Sequence, residues 1–283
     1  MPEEQWDTVI KPKTGWFDIN LKELWKYRDL VFLFVRRTFV SHYKQTVLGP
    51  LWAIIQPLLM TVVFTVIFGN IAGMPTDGIP PFLFFMSGNI AWSFFSSCLT
   101  QTAATFTSNS NIFGKVYFPR LVMPISTVIS TMISFAIQII FFIFFYVIYI
   151  FKPDAGFALS PVICFFPVFI LQFTLLGLGF GVVISALTTK YRDLVMLIGF
   201  GVQLWMYATP VAYASSIVPQ KWLGLYCTLN PVTPVIEGMR YALFGVGTFS
   251  LHYWFISLIS TVLVVFSGVV LFSRAEKTFV DTV

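Results

Sequence analysis

The chain has 283 residues, of which 57% are hydrophobic and only 10% charged, with a formal net charge of +5. A soluble domain is about 25% charged, so this chain lacks the polar groups to cover a water-exposed surface. A water-soluble enzyme, a nucleic-acid-binding domain and a disordered chain are all excluded. The mean hydropathy of +0.84 makes the length a measure of membrane crossings, and the positive balance reads as the Lys and Arg excess of loops on one membrane face.

The first 29 residues are polar, and the apolar run after them is short, flanked by Asp29 and Arg36, so no cleavable leader is expected. Residues 20 to 40 predict one amphipathic helix. Asn20 can cap it, with Glu23 reaching back. Leu21, Leu24, Trp25, Val31, Phe32, Val35 and Phe39 share a stripe, while Lys22, Lys26 and Arg37 point away. Arg28 intrudes on that stripe, and Leu33 and Phe34 interrupt the polar face. Such a helix lies in the headgroup plane, as a plain anchor or as an element with a further role.

Six apolar stretches follow that are long enough to cross, 51–71, 82–104, 125–150, 161–187, 194–213 and 251–272, and none contains Asp, Glu, Lys or Arg. The expected fold is an all-α integral membrane protein with three parts: an N-terminal segment 1–50, a transmembrane domain 51–273 and a tail 274–283. Orientation follows from the cations. Lys11, Lys13, Lys22, Lys26, Arg28, Arg36, Arg37, Lys44, Lys115, Arg120, Lys190, Arg192, Arg274 and Lys277 fall on one side, against Lys152, Lys221 and Arg240 on the other. Both termini are therefore expected in the cytoplasm.

Gly49-Pro50 marks the start of the first stretch, and Gln56-Pro57 should bend it, because proline removes a backbone donor. The second stretch is rich in hydroxyls (Ser87, Ser93, Ser96, Ser97, Thr100), and Gly177, Gly181 and Ser185 form a small-residue face on the fourth. Helix packing is the first reading of both faces; a polar pathway is the second. The connection between the fifth and sixth stretches is broken by Pro219, Gly224, Pro231, Pro234, Gly238, Gly245 and Gly247, yet it is apolar. Two short re-entrant helices would reconcile these facts, with Thr233-Pro234 starting one and Glu237 pairing Arg240 a turn later.

Catalytic constellations are missing. His42 and His252 belong to opposite faces, and Cys98, Cys164 and Cys227 have no motif spacing. No carboxylate lies within a stretch, which argues against ion-coupled transport. Gly114-Lys115 is followed by Val116 and preceded at the critical glycine position by Asn109, so there is no phosphate-binding loop. Any energy source must be a partner. A short helix starting at Asn109 or Asn111 and ending before Pro119 would gather Ile112, Phe113, Val116 and Tyr117 on one face, with Lys115 opposite. That face suits either a partner or the bundle and headgroups.

Several of these segments resemble one family. The stretches 28–39 (RDLVFLFVRRTF), 43–57 (YKQTVLGPLWAIIQP), 113–124 (FGKVYFPRLVMP), 191–194 (YRDL), 230–240 (NPVTPVIEGMR) and 276–281 (EKTFVD) resemble, in order, the landmarks of ABC-2-type permeases that export polysaccharides. The resemblance implies a homodimer paired with two separate ATP-binding-cassette ATPase subunits, which would bind ATP and Mg; this chain itself would hold no cofactor. It implies a lipid-linked polysaccharide as substrate, O-antigen in the first place, in a bacterial cytoplasmic membrane. It also implies that Ile112, Phe113, Lys115, Val116 and Tyr117 form the ATPase-coupling helix. Capsule, teichoic acid, another lipid or drug amphiphile, or a non-transporting scaffold are the alternatives.

Two assignments follow from that substrate. Arg36, Arg37 and Lys44 suit a phosphate-bearing headgroup, since guanidinium donates two hydrogen bonds at once. Gln56, Phe64, Phe68, Gln203 and Tyr207 suit an uncharged conduit lining, because sugars stack on rings and need donors and acceptors for their hydroxyls. Six helices are too few to enclose such a conduit without exposing irregular backbone to lipid, whereas two copies suffice.

Overall fold

The computed structural model describes residues 21–44, 46–109, 112, 118–152, 156–188 and 194–280, and it contains no strand among them. The helices in chain order begin with α1 (Leu21–Lys26) and α2 (Arg28–Tyr43), then α3 (Trp52–Phe64) between a 3-10 turn at Gly49–Leu51 and a π-helical end at Thr65–Ile71. Next come α4 (Pro81–Ala103), the short α5 (Thr105–Ser108), α6 (Val122–Ile150) and α7 (Phe166–Thr188), the last preceded by a 3-10 turn at Pro161–Phe165. The chain continues with α8 (Leu194–Tyr207), α9 (Gln220–Leu229), α10 (Val232–Phe244) and α11 (Leu251–Val280).

Among the described residues, five helical runs are long and apolar enough to cross a membrane: Gly49–Ile71, Pro81–Ala103, Val122–Ile150, Pro161–Thr188 and Leu251–Phe272. They match five of the six expected stretches to within three residues at each end. The fifth stretch is the exception. α8 has 14 residues, about 21 Å at 1.5 Å each, which is short of the ~30 Å hydrocarbon layer. Pro210 explains the stop, because a residue before proline is pushed out of the helical region. The last turn closes at Tyr207, and the Thr209 hydroxyl donates back to the Trp205 carbonyl at 2.8 Å.

The centre of the bundle is α4, with most of its length buried. Pro81 occupies its first turn, where the missing N–H costs nothing. The small-residue face on α7 packs against it. A Cβ on Gly177 would stand 2.6 Å from the Cys98 Cβ, and one on Gly181 would stand 2.6 Å from the Thr102 Cβ and 2.8 Å from the Leu99 carbonyl. Close approach of these two backbones therefore requires glycine, and the face is consumed within the chain. The other side of α7 meets α11, where Gly268 lies against the Gly179 carbonyl.

That second contact is locked by polar groups. Gln172 donates to Ser257 at 2.8 Å and to Thr261 at 3.3 Å, accepts from the Trp254 indole at 2.8 Å, and is buried throughout. Ser257 passes the chain on to the Pro231 carbonyl at 2.5 Å. In a low-dielectric interior such a closed network is worth keeping only because each member is satisfied.

Connectivity defines two ends. At one, α2 lays Val31, Phe34 and Val35 on Phe118, Val122 and Met123 at the start of α6. The end of α7 reaches the end of α4 there, through Thr188 and the Ala103 carbonyl at 3.2 Å. At the opposite end Phe82 stacks on Tyr149, and the Tyr146 hydroxyl donates to the Leu243 carbonyl of α10 at 2.7 Å. Gly245 ends α10 with φ +68, a left-handed cap that also leaves room for the Ala158 carbonyl, 2.8 Å from where a Cβ would be.

Two expectations about the N-terminal helix change. The single N-terminal helix is two helices, broken at Tyr27; Asn20 lies outside the described residues. Its stripe is also divided: Trp25 and Phe32 are 70% and 66% exposed, while Phe34, expected on the polar face, is buried against Phe118. Apolar residues surround this helix almost completely, so only the neighbouring α6 decides which of them are covered. α11 runs from Leu251 to Val280, and its apolar part, Leu251–Phe272, matches the expected sixth stretch. The pair of short helices expected between the last two stretches is present as α9 and α10.

Candidate functional site

The first crossing carries Pro57 inside its helix, and side chains serve the backbone around it. Pro57 cannot donate to the Ala53 carbonyl, and Gln138 Nε2 from α6 donates to it instead, at 3.1 Å. Thr61 donates to the Pro57 carbonyl at 2.8 Å, and Thr65 donates to the Thr61 carbonyl at 2.8 Å. Asn89 of α4 reaches the Thr61 hydroxyl at 3.4 Å. Hydroxyls bonded one turn back bend helices, and here the helix widens into the π-helical end, a form that recurs at functional sites. Gln56 is exposed beside the proline. Phe68 is half-buried, whereas Phe64 is 3% exposed and packs edge-on to Phe68 and Phe85. Phe64 thus belongs to the core of the single chain.

Gln203 and Tyr207 lie one turn apart on α8, both exposed. Gly199, a turn earlier on the same face, has nothing within 4 Å of where a Cβ would be. Both α3 and α8 pack on α4.

Beyond Tyr207 the backbone is irregular, and its carbonyls are taken by side chains from the next helices. Asn230 Nδ2 donates to the Ala208 carbonyl at 3.0 Å and to Thr209 at 2.9 Å. Its Oδ1 accepts from the Trp205 indole at 3.1 Å and the Val232 amide at 3.3 Å. Arg240 donates through Nη1 to the Pro210 carbonyl at 2.5 Å and through Nη2 to the Val211 carbonyl at 3.0 Å. The same guanidinium pairs with Glu237 at 3.4 Å and lies 3.8 Å from the Phe84 ring centroid. Both charged residues are buried.

At the other end Arg36 and Arg37 are exposed on α2, and Lys44 is exposed at its C-terminus. Lys44 keeps helical dihedrals, so it lies about 10 Å along the axis from Arg37 and on the same side. Of the expected coupling residues, Ile112 is half-buried and packs against the α2–α6 cluster. Phe113, Lys115, Val116 and Tyr117 lie outside the described residues.

Sequence reasoning paired Glu237 with Arg240 on a short helix, as the 3.4 Å contact bears out, but it missed Gln138, Gln172, Asn230 and the reach of Arg240 to the Pro210 and Val211 carbonyls. A signal existed for two of them. Glu237 and Arg240 are the only charges between Trp222 and Leu251, in a segment too apolar to be a loop in water, and Asn230 directly precedes a proline. Gln138 could be found only by asking which side chain serves the carbonyl that Pro57 orphans.

A family model described as "ABC-2 type transporter" matches residues 29–244. The "O-antigen export system permease protein RfbA" of Klebsiella pneumoniae is 28% identical over 254 residues, which cover 89% of this chain and 94% of that protein. A protein of the same name from Myxococcus xanthus is 28% identical over 222 residues, 78% of this chain and 82% of its own length.

Proposed function

Because the chain belongs to the ABC-2 type transporter family, we propose that it is the membrane permease subunit of an exporter of lipid-linked polysaccharide, with O-antigen the first substrate to test. The carrying observation is likeness along nearly the whole chain to proteins named for O-antigen export. In this reading two copies form a conduit in the bacterial cytoplasmic membrane, and two separate ATPase subunits supply the energy. The α8 helix and the irregular backbone to Tyr213 together complete a sixth crossing, with both termini in the cytoplasm. α9 and α10 are re-entrant from the outer side.

The exposed amides support an uncharged lining. Gln56 stands on the least buried crossing and Gln203 on the short helix, so both are free to meet a second copy across a shared path. Arg36, Arg37 and Lys44 receive the phosphate-bearing headgroup. Ile112, Phe113, Lys115, Val116 and Tyr117 meet the ATPase. Deleting the gene in its host tests the reading. Surface polysaccharide should disappear while its lipid-linked form accumulates inside; unchanged surface polysaccharide would contradict it.

A further inference from the structure

We propose that Arg240 is a positioning residue that clips the irregular backbone after α8 onto α4, and so fixes where Gln203 and Tyr207 face the conduit. The inference rests on the export reading above for what the conduit carries.

A helix end leaves carbonyls without partners, and a chain in a membrane has no water to serve them. The irregular backbone after Tyr207 has the same need, and two of its carbonyls, Pro210 and Val211, go to one guanidinium. The planar fork of Arg spans adjacent acceptors in a way a lysine ammonium does not. Burying this charge costs free energy unless it is neutralised and bonded, and Glu237 supplies the counter-charge one turn away.

The site is shaped for that side chain from the α4 side as well. A Cβ on Gly88 would fall 2.5 Å from Arg240 Nη2 and 2.8 Å from the Val211 carbonyl. Phe84, one turn before Gly88, offers its ring to the guanidinium. Three segments far apart in sequence therefore meet at one group: α4, the backbone at 210–211, and α10. Arg240 Nε has no hydrogen-bond partner among the described residues, so the clip consists of the two Nη groups and the ion pair. Only three residues separate Tyr207 from Val211. A shift of the clipped backbone must therefore move the last turn of α8 and the side chains it presents.

The test uses the complete complex with its ATPase, reconstituted without ATP into vesicles loaded with a self-quenching dye. The parent complex should keep the vesicles sealed. Arg240→Gln and Gly88→Ala should each raise dye release several-fold, with Arg240→Lys in between. Adding Gly88→Ala to Arg240→Gln should raise release by less than the two single effects combined, because the methyl then meets only the Val211 backbone and no guanidinium. A purely structural role would reduce the yield of assembled complex but leave the assembled fraction sealed.

Assembled variants that stay sealed and export at the parental rate would overturn the proposal. If Arg240→Gln does not assemble, sealed vesicles with Gly88→Ala would overturn it alone. If the parent moves no polysaccharide while release still follows the Arg240 series, the export reading fails and the clip stands.

Discussion

Pro57 and Gln138 show how one residue in this chain creates a need that another, 81 positions later, meets. Replacing Gln138 by leucine leaves the part-buried Ala53 carbonyl without that donor, at a cost of about 1 kcal/mol. The purified protein should unfold at a lower temperature, and an unchanged midpoint would mean that the bond carries no stability. Glycines give a sharper contrast. Gly181→Leu drives a side chain into Thr102 and the Leu99 carbonyl, which should cost about 1–3 kcal/mol as overpacking. Gly199→Ala meets open space inside a helix and should raise stability by about 0.5–1 kcal/mol. Thermal melts of the two variants side by side settle whether the α4–α7 contact has the closeness described. The repeat of Gly177, Gly181 and Ser185 was legible as a packing face because its period is a property of the sequence. Its partner was not, because nothing in the period distinguishes α4 from a second copy.

At the scale of elements, five crossings were legible from apolar length alone, since burial and lipid make the same demand on composition. The fifth stretch was read too long, because hydropathy does not register Pro210. Apolar residues continue through Ala212 and Tyr213 while the helix has already ended at Tyr207. The N-terminal helix failed for the opposite reason: its apolar residues are so numerous that periodicity could not choose a face. Two element-level variants test what these helices present. Arg36→Ala, Arg37→Ala and Lys44→Ala together remove the cationic face of α2 and its end; the protein should insert normally yet export more slowly, and parental export would reduce the three to topology. Leucine at Gln56 and Gln203 together should slow export without reducing assembly, whereas unchanged rates would remove both from the path.

For the whole molecule, the described helices make one bundle organised around α4, with a cationic helix at one end and the short helices α9 and α10 at the other. Coupling to the ATPase is expected at the cationic end, through the segment that follows α5. Aromatic anchors at interfaces commonly cost more than about 2 kcal/mol when truncated, a loss of more than about tenfold in affinity. Phe113→Ala with Tyr117→Ala should therefore leave a folded permease that loses its ATPase during purification, and full co-purification would place the coupling contact elsewhere. The central claim is that this chain is the permease through which a lipid-linked polysaccharide leaves the cytoplasm under the power of a separate ATPase. Its most direct test is transport of lipid-linked O-antigen across vesicle membranes holding the purified permease–ATPase complex. The account predicts movement that requires both subunits and ATP hydrolysis; substrate that stays on its original side in a complex actively hydrolysing ATP would contradict it.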